Sequence, residues 1–495
     1  MSVYKASIYN YLFNSINSIV VIVNGIIMVP LYLHYMSVAT YGAWLASGNL
    51  VAMIGILESG FAGVITQKMA TAIGGGDRQR FLFLAGSNIM TAGIIAILIF
   101  FLGACFIPFI AKIVNAEPEW ASDITISYSI SLLSSVIAVL VSLFGAFPQV
   151  WQQTRQVGII NTCVNIVAIV VMVICLFTGL GVISLAIGYL TRSVLNLIIQ
   201  GIWIRKYWQD FEKESPIYNV RESFRLLKEC VYPLFARVSG VLMGQSQNLI
   251  LAAFFQPSLA AIYDFTSKVI SCAYGFVSMT NGSFFALLSI AFGKNNRVEL
   301  NRMVSEILQF FTICVVAVFI LGLSFSKIVV NYWVGLDKFG GDYLLLAIGV
   351  ALLVNQYKAF FNNLLFTSGN IKKSSIIDIF SLLAYLGVLF FLIKILGVYS
   401  IPASLFLTNF MFAGWYVYTL LANTSIDKTT ISFPTIRNLI VAIVFGFIFF
   451  IYPVNHDSIA FQFIQAIIYS IVFIGVIVFV NKGELTKIKK FICKK

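Results

Sequence analysis

The stretch Val182–Ile204, VISLAIGYLTRSVLNLIIQGIWI, decides what kind of molecule this is. As a helix it is long enough to cross the roughly 30 Å of bilayer hydrocarbon, which takes about 20 residues. Ser184, Gly188, Arg192, Asn196 and Gln200 recur at every fourth position and share one stripe, while the remaining surface is apolar. A formal charge at the depth of Arg192 costs about 2.5–3.5 kcal/mol on insertion scales, so it marks a functional candidate rather than a packing residue. This helix therefore has a wet side.

The rest of the chain repeats the pattern. Of 495 residues, 60% are hydrophobic and 10% charged, against about 25% charged in a soluble domain. The mean hydropathy is +0.95. Apolar runs of spanning length occupy Asn10–Leu33, Tyr41–Ile65, Phe81–Ile107, Ile124–Val150, Val157–Thr178, Val182–Ile204 and Pro233–Phe254. They continue at Leu259–Ala291, Ile307–Val330, Tyr343–Phe366, Ser375–Ile395, Val398–Leu421, Pro434–Tyr452 and Ile459–Val480. Backbone groups in hydrocarbon must be satisfied within the segment, so the expected class is an all-α polytopic membrane protein of about fourteen transmembrane helices. The narrowest boundary lies between Ile395 and Val398, where Gly397 alone marks the turn. The first run is too long for a cleavable signal and is read as an uncleaved helix.

The net charge of +13 is distributed unevenly. With a cytoplasmic N-terminus, one set of alternate loops carries most of the basic residues, among them Arg78, Arg155, Arg205, Arg225, Lys294, Lys372 and Lys428, and the tail adds Lys482 to Lys495. The other side has Lys112, Lys327, Lys338 and Lys394. This bias predicts that both termini are cytoplasmic. It also argues against a nucleic-acid partner, because the charge is spread over short loops with no domain behind it. Seven cysteines form no CxxC pair, and the two histidines, His34 and His456, sit at span ends, so no disulfide, metal or other cofactor is expected.

A weak internal repeat pairs Ile65–Phe81 (ITQKMATAIGGGDRQRF) with Leu288–Leu300 (LSIAFGKNNRVEL), and Ala39–Gly42 with Ala260–Tyr263. An even number of spans separates the copies, which implies two parallel six-helix lobes with a site at their interface. The expected organisation is a first lobe at 1–206, a cytoplasmic amphipathic linker at 207–232, a second lobe at 233–425, and two additional helices with a basic tail at 426–495. In the linker, Phe211, Ile217, Val220, Phe224 and Leu227 alternate with mixed charges, the pattern of a segment lying on the membrane surface.

Charges within spans give the candidate site. Arg192 and Arg237, each beside small and amide residues, match phosphate oxygens bidentately. Lys268, one turn from Asp264, and Lys358, on a stripe with Asn355 and Asn362, add positive charge. Asn196 and Asn355 suit sugar hydroxyls, and Asn10, Asn14, Asn17 and Asn24 form a further stripe. Glu58 and Asp264 are the candidate ion-coupling acids. Asp378, close after Lys373, is read as interfacial. No catalytic constellation is present in this reading.

The motifs Ala39-Thr40-Tyr41-Gly42-Ala43-Trp44, Leu57-Glu58-Ser59-Gly60-Phe61 and Gly74–Asp77 (GGGD) resemble the polysaccharide-transporter branch of the multidrug/oligosaccharidyl-lipid/polysaccharide exporter superfamily, whose best-known members are the Wzx-type O-antigen flippases. The resemblance covers residues 1 to about 425, and Glu58 stands where that family often has an acid before a glycine. It implies movement of undecaprenyl-diphosphate-linked oligosaccharide between leaflets of a bacterial inner membrane, in O-antigen or capsule biosynthesis. A polysaccharide polymerase and a chain-length regulator are the implied protein partners. Twelve helices are commonest in the branch; fourteen is closer to the related lipid II flippases, whose extra helices are thought to accommodate the lipid tail. Coupling to a proton or sodium gradient stays open, since an anion moving outward runs with an inside-negative potential. A multidrug exporter, a lipid II flippase and a membrane-embedded polymerase or glycosyltransferase are the competing readings. A drug exporter for cations wants an acidic cavity, and a polymerase wants a large external loop; neither feature is in the sequence.

Overall fold

The computed structural model describes residues 28–481, apart from 56–60, 62–64, 67, 70–71, 74–75, 152, 212–213, 230, 294–296 and 455–458. Glu58, the asparagine stripe of the first span and the C-terminal lysines thus lie outside the described residues. Nine helical stretches among the described residues are long and apolar enough to cross a membrane. One of them, Lys372–Asn423, contains two helices. This is a multi-pass, all-helical membrane protein.

The chain divides into two compact units, Met1–Ala261 and Ile262–Lys495. In the first, α1 (Val38–Gly55), α2 (Arg78–Ala104), α3 (Ala121–Phe144), α4 (Thr154–Phe177) and α5 (Ile183–Phe211) follow in order. A short helix, α6 (Val220–Glu229), then leads to α7 (Val231–Phe254). The centre of this unit is α3, which packs on α1, α2 and α5, while α4 packs on α5 and α7 on α1. The quoted stretch is α5, and the helix runs on past Ile204 to Phe211. Trp208 explains the extension: it stacks on Phe81 with ring centroids 5.8 Å apart and meets Trp151 and Phe147, so the helix end is held by aromatic packing.

Residues after α5 fold back on α2. The Ile217 amide donates to the Leu82 carbonyl at 3.1 Å, and Ser223 is buried against Ser87. Gly86 permits this approach, because a Cβ there would stand 2.1 Å from the Ile217 carbonyl oxygen. Val220 and Phe224 face outward on α6 beside Arg221 and Arg225.

The second unit begins within α8 (Pro257–Gly293) and continues as α9 (Arg297–Trp333), α10 (Asp342–Thr367) and α11 (Ile371–Leu396). It ends with α12 (Ser400–Asn423), α13 (Lys428–Ile451) and α14 (Ile459–Val480). The turn at Gly397 is real: the residue has φ +55°, which glycine adopts without steric cost, and a single 3-10 turn joins α11 to α12. Helix α9 is central here, packing on α10, α13 and α14, while α12 packs on both α10 and α11. The last two helices are tied to α9 by polar contacts in an apolar bundle. Asn438 donates to Thr312 at 2.8 Å, Asn481 donates to Asn438 at 2.9 Å, and Arg437 bonds Asn481.

Candidate functional site

Arg192 is exposed on α5, about halfway along a membrane-spanning helix. A guanidinium turned toward hydrocarbon is costly unless it reaches the interface, whereas Ile199 and Ile202, exposed further along the helix, suit lipid. One turn before Arg192, Tyr189 is 47% exposed. It lines a half-open groove of about 360 Å³ between α1, α3 and α5, with Trp44, Asn49, Ser131 and Ser135 among the other walls. Ser193, next to Arg192, is bonded to Ser134 at 2.9 Å and fixes α5 against α3.

Asn196 lies on the buried side of the same helix. Its amide nitrogen donates to the Arg192 carbonyl at 3.0 Å, and its oxygen accepts from Gln200 at 3.0 Å. Gln200 also reaches Asn161 on α4 at 2.8 Å. The stripe read from the sequence is thus split: Arg192 is exposed, Asn196 is bonded within α5, and Gln200 joins α5 to α4. Arg237 falls in α7, where its side chain lies outside the described residues.

The candidate charges of the second unit are all paired. Lys268 donates to Asp264 at 3.2 Å on α8, and both side chains are partly accessible. Lys358 on α10 is 7% exposed and donates to Ser381 on α11 at 2.6 Å, with Asp378 at 4.0 Å. Asp378 is 6% exposed. It accepts from Tyr416 on α12 at 2.7 Å and from Asn362 on α10 at 2.9 Å; Asn362 in turn accepts from Ser374. The reading of Asp378 as interfacial is therefore corrected: it is buried and receives hydrogen bonds from two helices while facing a cation on α10. Lys373, whose proximity prompted that reading, bonds Asn423 instead. The signal lay in Asp378 and Ser381, three apart on one face of α11 and able to meet Lys358 and Asn362 on α10. Asn355 is half-buried on α10, and its neighbour Gln356 accepts from Ser278 on α8 at 3.2 Å. Lys327, counted above as an outer cation, is buried against Asp342 at 3.0 Å.

Among the described residues no group of three or more metal-binding side chains occurs. What the first unit offers is an exposed guanidinium beside a neutral, mainly apolar groove with one amide and several hydroxyls in its lining. What the second offers is a pair of internally compensated ion pairs at different degrees of burial.

Comparison with known proteins gives the family and the fold. The family model described as "Polysaccharide biosynthesis protein" matches residues 7–292. The chain belongs to that family. It is a transporter family rather than an enzyme family, and it is the one whose motifs are quoted above from the second span and its flanking turns. Solved structures share the fold. "Lipid II flippase MurJ, inward closed conformation" is 14% identical, with a TM-score of 0.70, covering 97% of this chain and 100% of that one. An inward-facing multidrug resistance MATE family transporter of the MOP superfamily is 15% identical, with a TM-score of 0.61, covering 81% and 98%. A MATE structure in the bent conformation gives 16% identity, a TM-score of 0.53 and coverage of 80% and 94%. No curated protein matches. The chain is accordingly a polysaccharide-biosynthesis transporter with the fold of the MOP superfamily.

Proposed function

We propose that this transporter moves polyprenyl-diphosphate-linked oligosaccharide repeat units, undecaprenyl in the lipid part, from the cytoplasmic to the outer leaflet of a bacterial plasma membrane by alternating access. The observation that carries the reading is the exposed guanidinium of Arg192 at mid-span in a chain of this family. A diphosphate bridge carries about two negative charges, and a guanidinium fork meets its oxygens bidentately. In this reading Arg192 and Arg237 hold the diphosphate, and Lys268 and Lys358 supply positive potential. Asn355 faces the sugars, and Asn196, expected to do the same, lies behind Arg192 and supports that stretch of α5. Glu58 and Asp264 are the acids through which a proton or sodium gradient would couple. Fourteen spans, two six-helix lobes flanking the 207–232 linker and cytoplasmic termini complete the proposal, with α13 and α14 forming the side that receives the lipid chain. The cargo belongs to a surface polysaccharide, O-antigen or capsule, and a polymerase and chain-length regulator act on it downstream.

A second reading, a lipid II flippase, is favoured by one observation. The structural likeness to MurJ extends over 97% of the chain and so includes α13 and α14. Deleting the gene separates the two. Lipid-linked repeat units should accumulate on the cytoplasmic leaflet and surface polysaccharide should disappear while cell-wall synthesis continues. Undiminished display of polymer refutes the proposal, and arrest of cell-wall synthesis with lipid II accumulation selects the second reading.

A further inference from the structure

We infer that the groove between α1, α3 and α5 is a stacking site for one pyranose ring of the cargo, with the exposed ring of Tyr189 as its wall and Trp44 as the ring that backs it. The two rings lie within 9° of parallel, with centroids 6.1 Å apart. Behind them, Trp44 packs on Tyr41 at 5.8 Å, Tyr41 packs on Tyr32 at 6.1 Å, and Tyr32 donates to the Met172 sulfur at 3.1 Å. Trp44, Tyr41 and Tyr32 are buried, so the wall is held in place before any ligand arrives.

Three features select a sugar. Tyr189 is exposed about two turns into α5, one turn before Arg192 and on the same side of the helix. Its lining contains no formal charge, and this separates it from the guanidinium one turn away and suits a neutral part of the cargo. Asn49, Ser131 and Ser135 add an amide and two hydroxyls, which both donate and accept, as sugar hydroxyls do. A pyranose presents a C–H face to an aromatic ring and a hydroxyl edge to such groups. An acyl chain in the same place would leave these polar groups facing hydrocarbon, at a cost. The volume, about 360 Å³, falls within the roughly 300–1,000 Å³ of small-ligand sites.

The inference rests on the transport reading above and names the part of the cargo this groove takes. Its test uses the full-length protein in lipid nanodiscs and equilibrium binding of radiolabelled short-chain polyprenyl diphosphate. The diphosphate is used bare and, separately, carrying a single glucose, galactose or N-acetylglucosamine. Wild type should bind at least one sugar-bearing probe roughly three- to tenfold more tightly than the bare diphosphate, the increment expected of one aromatic stacking contact. That ratio should collapse to about one in Tyr189→Ala and Trp44→Ala, and persist in Trp44→Phe. Gly48→Leu guards against misfolding. A Cβ at Gly48 meets nothing within 4 Å, leucine is the better helix former, and its side chain would fill the groove. A ratio that survives in Gly48→Leu and Tyr189→Ala overturns the inference, as does equal wild-type binding of all four probes. If wild type binds none of them, the transport reading itself falls.

Discussion

The two units place cations in their membrane helices in opposite ways. In the first, Arg192 is exposed within the span, while Ser193 holds α5 to α3 and Gln200, bonded to Asn196, holds it to α4. In the second, Lys358 is buried and faces Asp378, which is itself hydrogen-bonded by Tyr416 and Asn362. The difference teaches what a charge in a membrane span is for. An exposed guanidinium at that depth needs water and an incoming anion. A buried ammonium with a carboxylate 4.0 Å away already has its compensation, and it joins three helices into one block. Lys268 and Asp264 stand between these cases, paired but partly accessible.

The comparison breaks first at Asp378. Asp378→Ala leaves the Lys358 ammonium buried without its anion, and should cost about 3–5 kcal/mol of stability, read as a large drop in the melting temperature of the detergent-purified protein. The double variant Lys358→Met/Asp378→Leu should recover most of that loss. A double variant as unstable as the single one would show that the pair does more than compensate itself. Arg192→Ala is the counterpart. It should leave the melting temperature unchanged and lower transport roughly 10- to 100-fold, the loss of a charge-assisted contact worth about 1.5–3 kcal/mol. Unchanged transport at normal membrane expression would make Arg192 structural and erase the contrast.

Smaller effects sharpen the picture. Asn196→Ala removes an amide engaged at both ends, so about 1 kcal/mol of stability should go with it. Binding of the sugar-bearing diphosphate decides its role: unchanged affinity assigns Asn196 to packing, and weakened affinity to the cargo. Least affected should be Lys268→Ala, since a partly accessible i,i+4 pair is worth roughly 0.2–1 kcal/mol. A much larger drop in transport than in stability there would place Lys268 in the cargo path.

Much of the helical plan was legible in the amino-acid order because the bilayer forces it: long apolar runs must become helices, and turn residues such as Gly397 must separate them. Arg192 was legible as well, since a charge inside such a run stands out against its neighbours. Asp378 misled because only its distance along the chain from Lys373 was considered, whereas its partners sit on α10 and α12. The neutral groove gave no signal, because Trp44, Ser131 and Tyr189 are ordinary membrane-helix residues until three helices bring them together.

The sequence by itself determined that the chain spans a membrane many times, which family its opening motifs resemble, and which helices carry charge. These follow from local composition, since hydrocarbon acts on each segment separately. Only the tertiary structure decided which charges face water and which are neutralised inside, because that depends on the rotation of one helix against the next. A rotation of half a turn would have hidden Arg192, and the stripe it shares with Asn196 does not say which of the two is exposed.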